Sequence, residues 1–126
     1  MNTLLLITKS PYHPMAAYAL RYAKSYLHED DKSLKVFFYG DGAMTANKLL
    51  WQSADQPNLT KDWQQLAEVY GINLPVCVST ALTRGITDEQ NAQRHALAAD
   101  NLATEFSLVG LSELVIAMQD SKVIQF

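Results

Sequence analysis

Short apolar runs alternate along the chain with longer segments in which apolar residues recur at helical spacing. A continuous apolar run is typical of a strand buried on both faces, as in a parallel sheet. Such runs predict four strands, at residues 4–8, 36–39, 74–79 and 122–126. Apolar residues spaced three or four positions apart predict helices with one buried face. Four helices are predicted at residues 14–28, at 43–50, between Thr60 and Gly71, and from 88 to about 97. A further helix is indicated by the apolar stripe of Leu111, Leu114, Val115 and Met118.

Residues that favour helix ends support these boundaries. Pro14 suits the first turn of a helix. Thr60 is a candidate N-cap, and Gly71 is placed to end the same helix. Thr87 and Gln90 have the spacing of a capping box, which predicts a helix that begins near residue 88.

The order of the predicted elements determines the fold class. Strands alternate with helices from one end of the chain to the other, which favours an α/β sandwich with a mostly parallel sheet. No repeat, low-complexity tract or linker interrupts residues 1–126. We therefore expect a single domain, three layers thick (α/β/α).

Composition and charge narrow the class of protein. Of the 126 residues 48% are apolar and 18% are charged, which is typical of a globular domain. The net charge of −3 disfavours direct binding to nucleic acid, since an acidic chain does not attract phosphates at long range. No apolar segment approaches the length of a signal peptide core or a membrane span. The single cysteine excludes an internal disulfide and suits a reducing compartment, so we expect a cytoplasmic location.

Candidate chemistry is expected where parallel strands end, because sites in open α/β sheets form at the carboxyl ends of strands. Three segments qualify, at residues 8–13, 39–44 and 77–85, and Cys77 is the only strong nucleophile among them. A lone cysteine in a Val-Cys-Val strand is most often a small buried hydrophobe. Its position at a strand end, beside a possible helical turn and Arg84, favours instead a reactive thiol, since the thiolate is the nucleophilic form.

The other polar candidates carry weaker signals. Arg84 is either a solvated surface group or a cation that stabilises a sulfur anion. Tyr12 and His13 could donate a hydrogen bond and move a proton, although a polar turn between two prolines is the simpler interpretation. His95 has no second ligand at metal-binding spacing, so no metal site is predicted. Gly40-Asp41-Gly42 is not a phosphate-binding loop, so no cofactor is predicted.

Taken together, the motifs resemble those of the DsrE-like sulfur-relay family over nearly the whole chain. The most specific piece is Val76-Cys77-Val78 followed by Ala81-Leu82 and Arg84-Gly85. The other matching pieces are Val36-Phe37-Phe38-Tyr39, Ala46-Asn47, Asp62-Trp63-Gln64-Gln65-Leu66, Asp88-Glu89, Arg94, Asn101-Leu102, Phe106, Gly110-Leu111 and the C-terminal Val-Ile-Gln-Phe. The resemblance does not extend to the loop at residues 9–13.

This resemblance implies a fold and an activity. It implies a parallel five-stranded sheet flanked by helices, and a sulfurtransferase that carries a persulfide on Cys77. It further implies a heterohexamer with TusB-like and TusC-like subunits, a TusA-like sulfur donor and a TusE-like sulfur acceptor. The relayed sulfur would finally serve the 2-thiolation of wobble uridine in tRNA.

The sequence also allows two functions other than that of a persulfide carrier. The chain could be a non-catalytic scaffold subunit of the same kind of complex, with a cysteine that is only buried. It could also be a small-ligand binder of flavodoxin-like shape, although no phosphate-loop motif supports that function.

Overall fold

The computed structural model describes residues 2–29 and 33–126. Within these ranges the strands are β1 (Asn2–Ile7), β2 (Leu34–Phe38), β3 (Leu74–Cys77), β4 (Phe106–Val109) and β5 (Ser121–Gln125). The α-helices are α1 (Pro14–His28), α2 (Leu59–Tyr70), α3 (Val78–Leu82), α4 (Glu89–Arg94) and α5 (Leu111–Gln119), and a 3₁₀ helix spans Gly40–Ala46. None of the helices in these ranges combines the length and apolar character needed to cross a membrane.

All five strands form one parallel sheet in the order β4-β3-β2-β1-β5. Thr3 pairs with Leu34 of β2 and with Lys122 of β5, so β1 is an inner strand next to the edge strand β5. Because every strand runs the same way, all the carboxyl ends meet at one edge. The predicted α/β class and parallel five-stranded sheet are confirmed.

The two faces of the sheet are covered unequally. Side chains alternate between faces along a strand, so Phe37 and Phe38 point to opposite sides. The larger core, on the side of Phe38, includes buried residues of α1 and α2, and the Trp63 ring of α2 meets Phe38 edge-on at 5.4 Å. The smaller cluster contains Leu4, Phe37, Cys77 and Leu114 of α5. Helices therefore lie on both sides of the sheet, which gives the expected three layers.

The observed ends of α1 and α2 can be compared with the predicted ones. The helix predicted at 14–28 is confirmed, and His13 caps it by accepting a hydrogen bond from the Met15 N–H at 3.0 Å on Nδ1. Gly71 ends α2 in the left-handed conformation at φ 68°, as predicted. The predicted cap Thr60 is wrong, because Asn58 accepts from the Lys61 N–H at 3.1 Å. Thr60 lies inside the helix, where its buried hydroxyl donates to the Thr45 carbonyl at 2.7 Å.

Helix α4 begins near residue 88 as predicted, but the prediction that Thr87 caps it is wrong, and the helix is shorter. Asp88 caps it through a 2.9 Å hydrogen bond from the Asn91 N–H, and the Thr87 hydroxyl donates instead to the Asp88 carbonyl. The helix ends at Arg94, before the predicted end near residue 97.

Three further segments differ from the pattern-based prediction. The helix predicted at 43–50 is a 3₁₀ helix at Gly40–Ala46, packed so closely on β1 that a Cβ on Gly42 would collide with the Ile7 carbonyl oxygen. The strand predicted at 74–79 stops at Cys77 because α3 begins at the next residue. Strand β4 was not predicted from the pattern, since it lies at the sheet edge and buries only Phe106 fully.

Candidate functional site

Cys77 lies at the point where β3 gives way to α3. It is the last residue of the strand and the N-cap of the helix, with extended backbone angles of φ −60° and ψ 119°. Its side chain makes no capping hydrogen bond, and its carbonyl accepts one from the Thr80 hydroxyl at 3.3 Å. The sequence therefore placed Cys77 correctly at the carboxyl edge of the sheet.

The thiol is closed to solvent in the isolated chain. Cys77 is 2% exposed and packs in the small cluster with Leu4, Phe37 and Leu114. The partly buried Leu6, Val109 and Ala117 surround this cluster. A sulfur exchange reaction at Cys77 therefore requires the covering residues to move, because an attacking thiol has to reach the sulfur along the axis of the bond that breaks.

Arg84 makes structural hydrogen bonds at the same edge. Its Nε donates to Asp41 Oδ1 at 3.0 Å, and its Nη1 donates to the Thr80 carbonyl at 3.1 Å and to the Thr83 hydroxyl at 3.2 Å. Among the described residues, no hydrogen bond joins Arg84 to Cys77. Arg84 thus ties α3 to the 3₁₀ helix after β2, and its guanidinium charge is already paired with a carboxylate.

Asp41→Asn is expected to lower the free energy of unfolding by less than about 1 kcal/mol, because exposed ion pairs contribute little. The Asp41 side chain is 62% exposed. Urea unfolding of the variant measures the change. Asp100→Asn, which breaks the surface pair of Lys48 and Asp100, is the matched control. A loss of several kcal/mol for Asp41→Asn alone would show that the Arg84 link is essential to the fold.

Tyr12 and His13 lie at the sheet edge but have other contacts than those proposed from the sequence. The Tyr12 hydroxyl donates to the Trp51 carbonyl at 3.3 Å, and the ring is 59% exposed. Tyr12 and Arg84 line the same cleft of about 130 Å³. The Nδ1 atom of His13 is occupied in capping α1.

The remaining candidates from the sequence lie on other elements than Cys77. His95 is exposed at the C-cap of α4. Gly40, Asp41 and Gly42 begin the 3₁₀ helix. In residues 2–29 and 33–126, no three or more His, Cys, Asp and Glu side chains come together in a way that could hold a metal ion.

The sequence singled out two residues, Asn101 and Leu114, without predicting their roles at this edge. Asn101 joins three segments, since its Nδ2 donates to the Gly85 carbonyl at 3.0 Å and to Asn47 Oδ1 at 3.2 Å, while its Oδ1 accepts from the Thr87 N–H at 2.9 Å. Leu114 was predicted to lie on a helical stripe, but its position over Cys77 depends on packing between distant parts of the chain.

Comparisons with known proteins agree on a family. The model of the DsrE/DsrF-like family matches residues 1–126. The chain is 39% identical over 127 residues to a protein of Proteus mirabilis named sulfurtransferase TusD, with 98% of each chain covered. It is 41% identical over 128 residues to the protein of that name from Pectobacterium atrosepticum, with 100% of this chain and 99% of the relative covered. The crystal structure of the ychN protein from E. coli has a TM-score of 0.75 at 15% identity, covers 100% of both chains and thereby supports the fold.

Proposed function

The chain belongs to the DsrE/DsrF-like family, and from this premise we propose that it is a sulfurtransferase subunit that carries a sulfane sulfur as a persulfide on Cys77. The full-length relatives named sulfurtransferase support a sulfur-relay role. Cys77 is the only cysteine of the 126 residues and lies at the carboxyl edge of the sheet. This position of the sole thiol is the observation that carries the proposal.

The proposed reaction is a thiol exchange that needs no oxidant or reductant. The Cys77 thiolate attacks the outer sulfur of a donor persulfide, a new S–S bond forms on Cys77, and the donor's S–S bond breaks. The donor leaves as a thiolate, which keeps the two electrons of the broken bond. In the second step an acceptor thiolate attacks the outer sulfur on Cys77 and releases the Cys77 thiolate.

A single cysteine is sufficient for this chemistry. A second cysteine near the persulfide would attack the inner sulfur and close a disulfide, which would release the cargo as sulfide. The chain has no other cysteine that could do so. Neither step requires a metal or an organic cofactor.

The exposed surface of α5 supports a subunit role. Leu111, Val115, Ile116 and Met118 are 43–59% exposed on this one helix. Contiguous apolar surface on a globular protein is typical of a protein interface. The proposed subunit partners are TusB-like and TusC-like chains in a heterohexamer, and the 1–126 domain would act within that assembly.

The finer steps of the relay rest on the family resemblance. We propose a TusA-like donor, a TusE-like acceptor and 2-thiolation of tRNA wobble uridine as the final use of the sulfur. The cytoplasm is the proposed location, since a reducing compartment keeps a lone thiol free.

A non-catalytic scaffold subunit is the second candidate function. The burial of Cys77, which is 2% exposed in an apolar cluster, favours this alternative. In that case a related subunit would carry the sulfur, and this chain would supply only contact surface.

Intact-mass spectrometry separates the two functions. The folded protein is incubated with a persulfide donor, freed of the donor and weighed under non-reducing conditions. A carrier is expected to gain the mass of one sulfur atom, and subsequent treatment with a reducing thiol is expected to remove it. A native protein whose mass stays unchanged under conditions that load a known carrier would favour the scaffold function.

A further inference from the structure

Helix α5 is held on the sheet by fewer buried side chains than the long helices α1 and α2 on the other face. A surface helix normally buries an apolar stripe of three to four residues per two turns. Helix α1 buries Ala16, Ala19, Leu20 and Ala23, and α2 buries Leu59, Thr60, Trp63, Leu66 and Ala67. In its nine residues, α5 buries only Leu114. Its attachment to the sheet is therefore the weakest of the three.

The N-terminal end of α5 is weakly fixed, whereas its C-terminal end leads directly into β5, which pairs with β1. Gly110 is its N-cap, and no side chain caps the helix at this end. Beyond its C-terminus, Ser121 Oγ is the buried side-chain oxygen that lacks a hydrogen-bond partner within the described residues. A buried hydroxyl without a partner destabilises the arrangement that buries it. The missing cap lowers the cost of unfolding the first turn of α5, and the Ser121 hydroxyl weakens the junction between α5 and β5.

The same helix covers the proposed sulfur carrier. Leu114 completes the cluster that buries Cys77, and Ala117 of the next turn packs against that cluster. On the strand side, Leu4 and Phe37 lie in the central strands of the sheet, where they are 0% and 1% exposed. Strands β1 and β2 each pair on both sides, so α5 is the part of the enclosure that can leave with the least disruption.

We propose that α5 is a lid, and that its local unfolding between β4 and β5, while both strands stay paired in the sheet, exposes Cys77 to donor and acceptor thiols. This inference rests on the proposed function, since it supplies the access that sulfur exchange at a buried thiol requires. Opening exposes Leu114 and Cys77 while the core between the sheet and helices α1 and α2 stays intact. The closed lid keeps small thiols in solution away from the sulfur.

The first test is the alkylation rate of Cys77 in the native chain with iodoacetamide, measured at increasing low concentrations of urea. Local opening exposes little surface, so the rate is expected to stay nearly constant until global unfolding begins. Hydrogen exchange of the α5 amides is expected to report the same opening equilibrium, with the amides of β2 and β3 protected more strongly. The lid proposal would be overturned if the alkylation rate rose from the lowest urea concentrations as steeply as the equilibrium constant for global unfolding does.

The second test compares two truncations on the same helix. Leu114→Ala removes the one side chain buried by α5, so alkylation of Cys77 is expected to accelerate at least about tenfold. Val115→Ala is the matched control, because Val115 is 55% exposed, and it is expected to change the rate by less than about twofold. Equal rates in the two variants would contradict the proposal. If Leu114→Ala does not fold, the urea dependence of the alkylation rate in the native chain tests the lid proposal by itself.

These outcomes are separable from those of the mass measurement. Local exposure of Cys77 without sulfur uptake would refute the carrier function and leave the lid in place. Sulfur uptake by a chain in which alkylation requires global unfolding would refute the lid and leave the carrier function in place.

Discussion

Replacing Cys77 with alanine is expected to reduce sulfur uptake to background while the fold is retained. The variant lacks the only thiol of the chain, so no S–S bond can form on it. The loss in packing is small, because one sulfur atom leaves a cluster whose other buried members, Leu4, Phe37 and Leu114, remain. We expect a decrease in the free energy of unfolding of about 1–2 kcal/mol, smaller than for the larger truncations of buried side chains.

Cys77→Ser is the informative companion variant. It is nearly isosteric but places a hydroxyl in an apolar cluster, which costs about 1–3 kcal/mol if the hydroxyl has no partner. Sulfur uptake is measured by intact mass, and the fold by circular dichroism and urea unfolding. If either variant gained as much sulfur as the native chain, uptake would not occur at Cys77. If Cys77→Ala were unfolded, the cysteine would have a structural role.

Trp63→Ala is expected to destabilise the fold by about 3–5 kcal/mol, the largest stability effect we predict. Trp63 is 1% exposed and packs edge-on against Phe38, which in turn packs against Phe106 at 5.3 Å. Truncation therefore leaves a cavity where α2 meets the sheet. A domain of this size has a total stability of about 5–15 kcal/mol, so the loss is a large part of it.

The chain contains a control of the same residue type. Trp51 is 74% exposed, and the hydrogen bond from Tyr12 goes to its backbone carbonyl, which alanine retains. Trp51→Ala is expected to change the free energy of unfolding by less than about 0.5 kcal/mol. Urea unfolding followed by circular dichroism measures both variants. Similar losses for the two would contradict the assignment of Trp63 to the core.

Local signals in the sequence predicted the elements whose residues depend on short-range interactions. The helix at 14–28 was confirmed because Pro14 and the apolar stripe both act within a few residues. Gly71 ended α2 as predicted, since the left-handed conformation favours glycine. The number of strands was correct only through the family resemblance, because the pattern itself showed four.

The errors lie where tertiary contacts decide the structure. The 3₁₀ helix at Gly40–Ala46 depends on the close approach of Gly42 to Ile7, more than thirty residues earlier in the chain. Thr60 was predicted as a cap, but its hydroxyl bonds to Thr45 instead. Strand β4 lacks a continuous apolar run, since Ser107 interrupts it and only Phe106 is buried. No local pattern contains these contacts.

The candidate site was predicted in part. The position of Cys77 at a strand end followed from the sequence, and the expected sulfurtransferase is supported by the relatives that carry this name. The burial of Cys77 was one alternative considered from the sequence, but its cover by Leu114 was not predicted, because the two residues are distant in the chain. Arg84 was considered as a partner for the thiolate, whereas its hydrogen bonds go to Asp41, Thr80 and Thr83.

A chase with isotopically heavy sulfur tests the carrier function most directly. The folded chain is loaded from a heavy persulfide donor, separated from it and mixed with an acceptor protein that has a free thiol, with Cys77→Ala treated in parallel. We predict that heavy sulfur leaves the native chain and appears on the acceptor in equal amount, and that the variant delivers none. Heavy sulfur that never enters the native chain, or that enters and is not released to any thiol, would contradict a carrier role for Cys77.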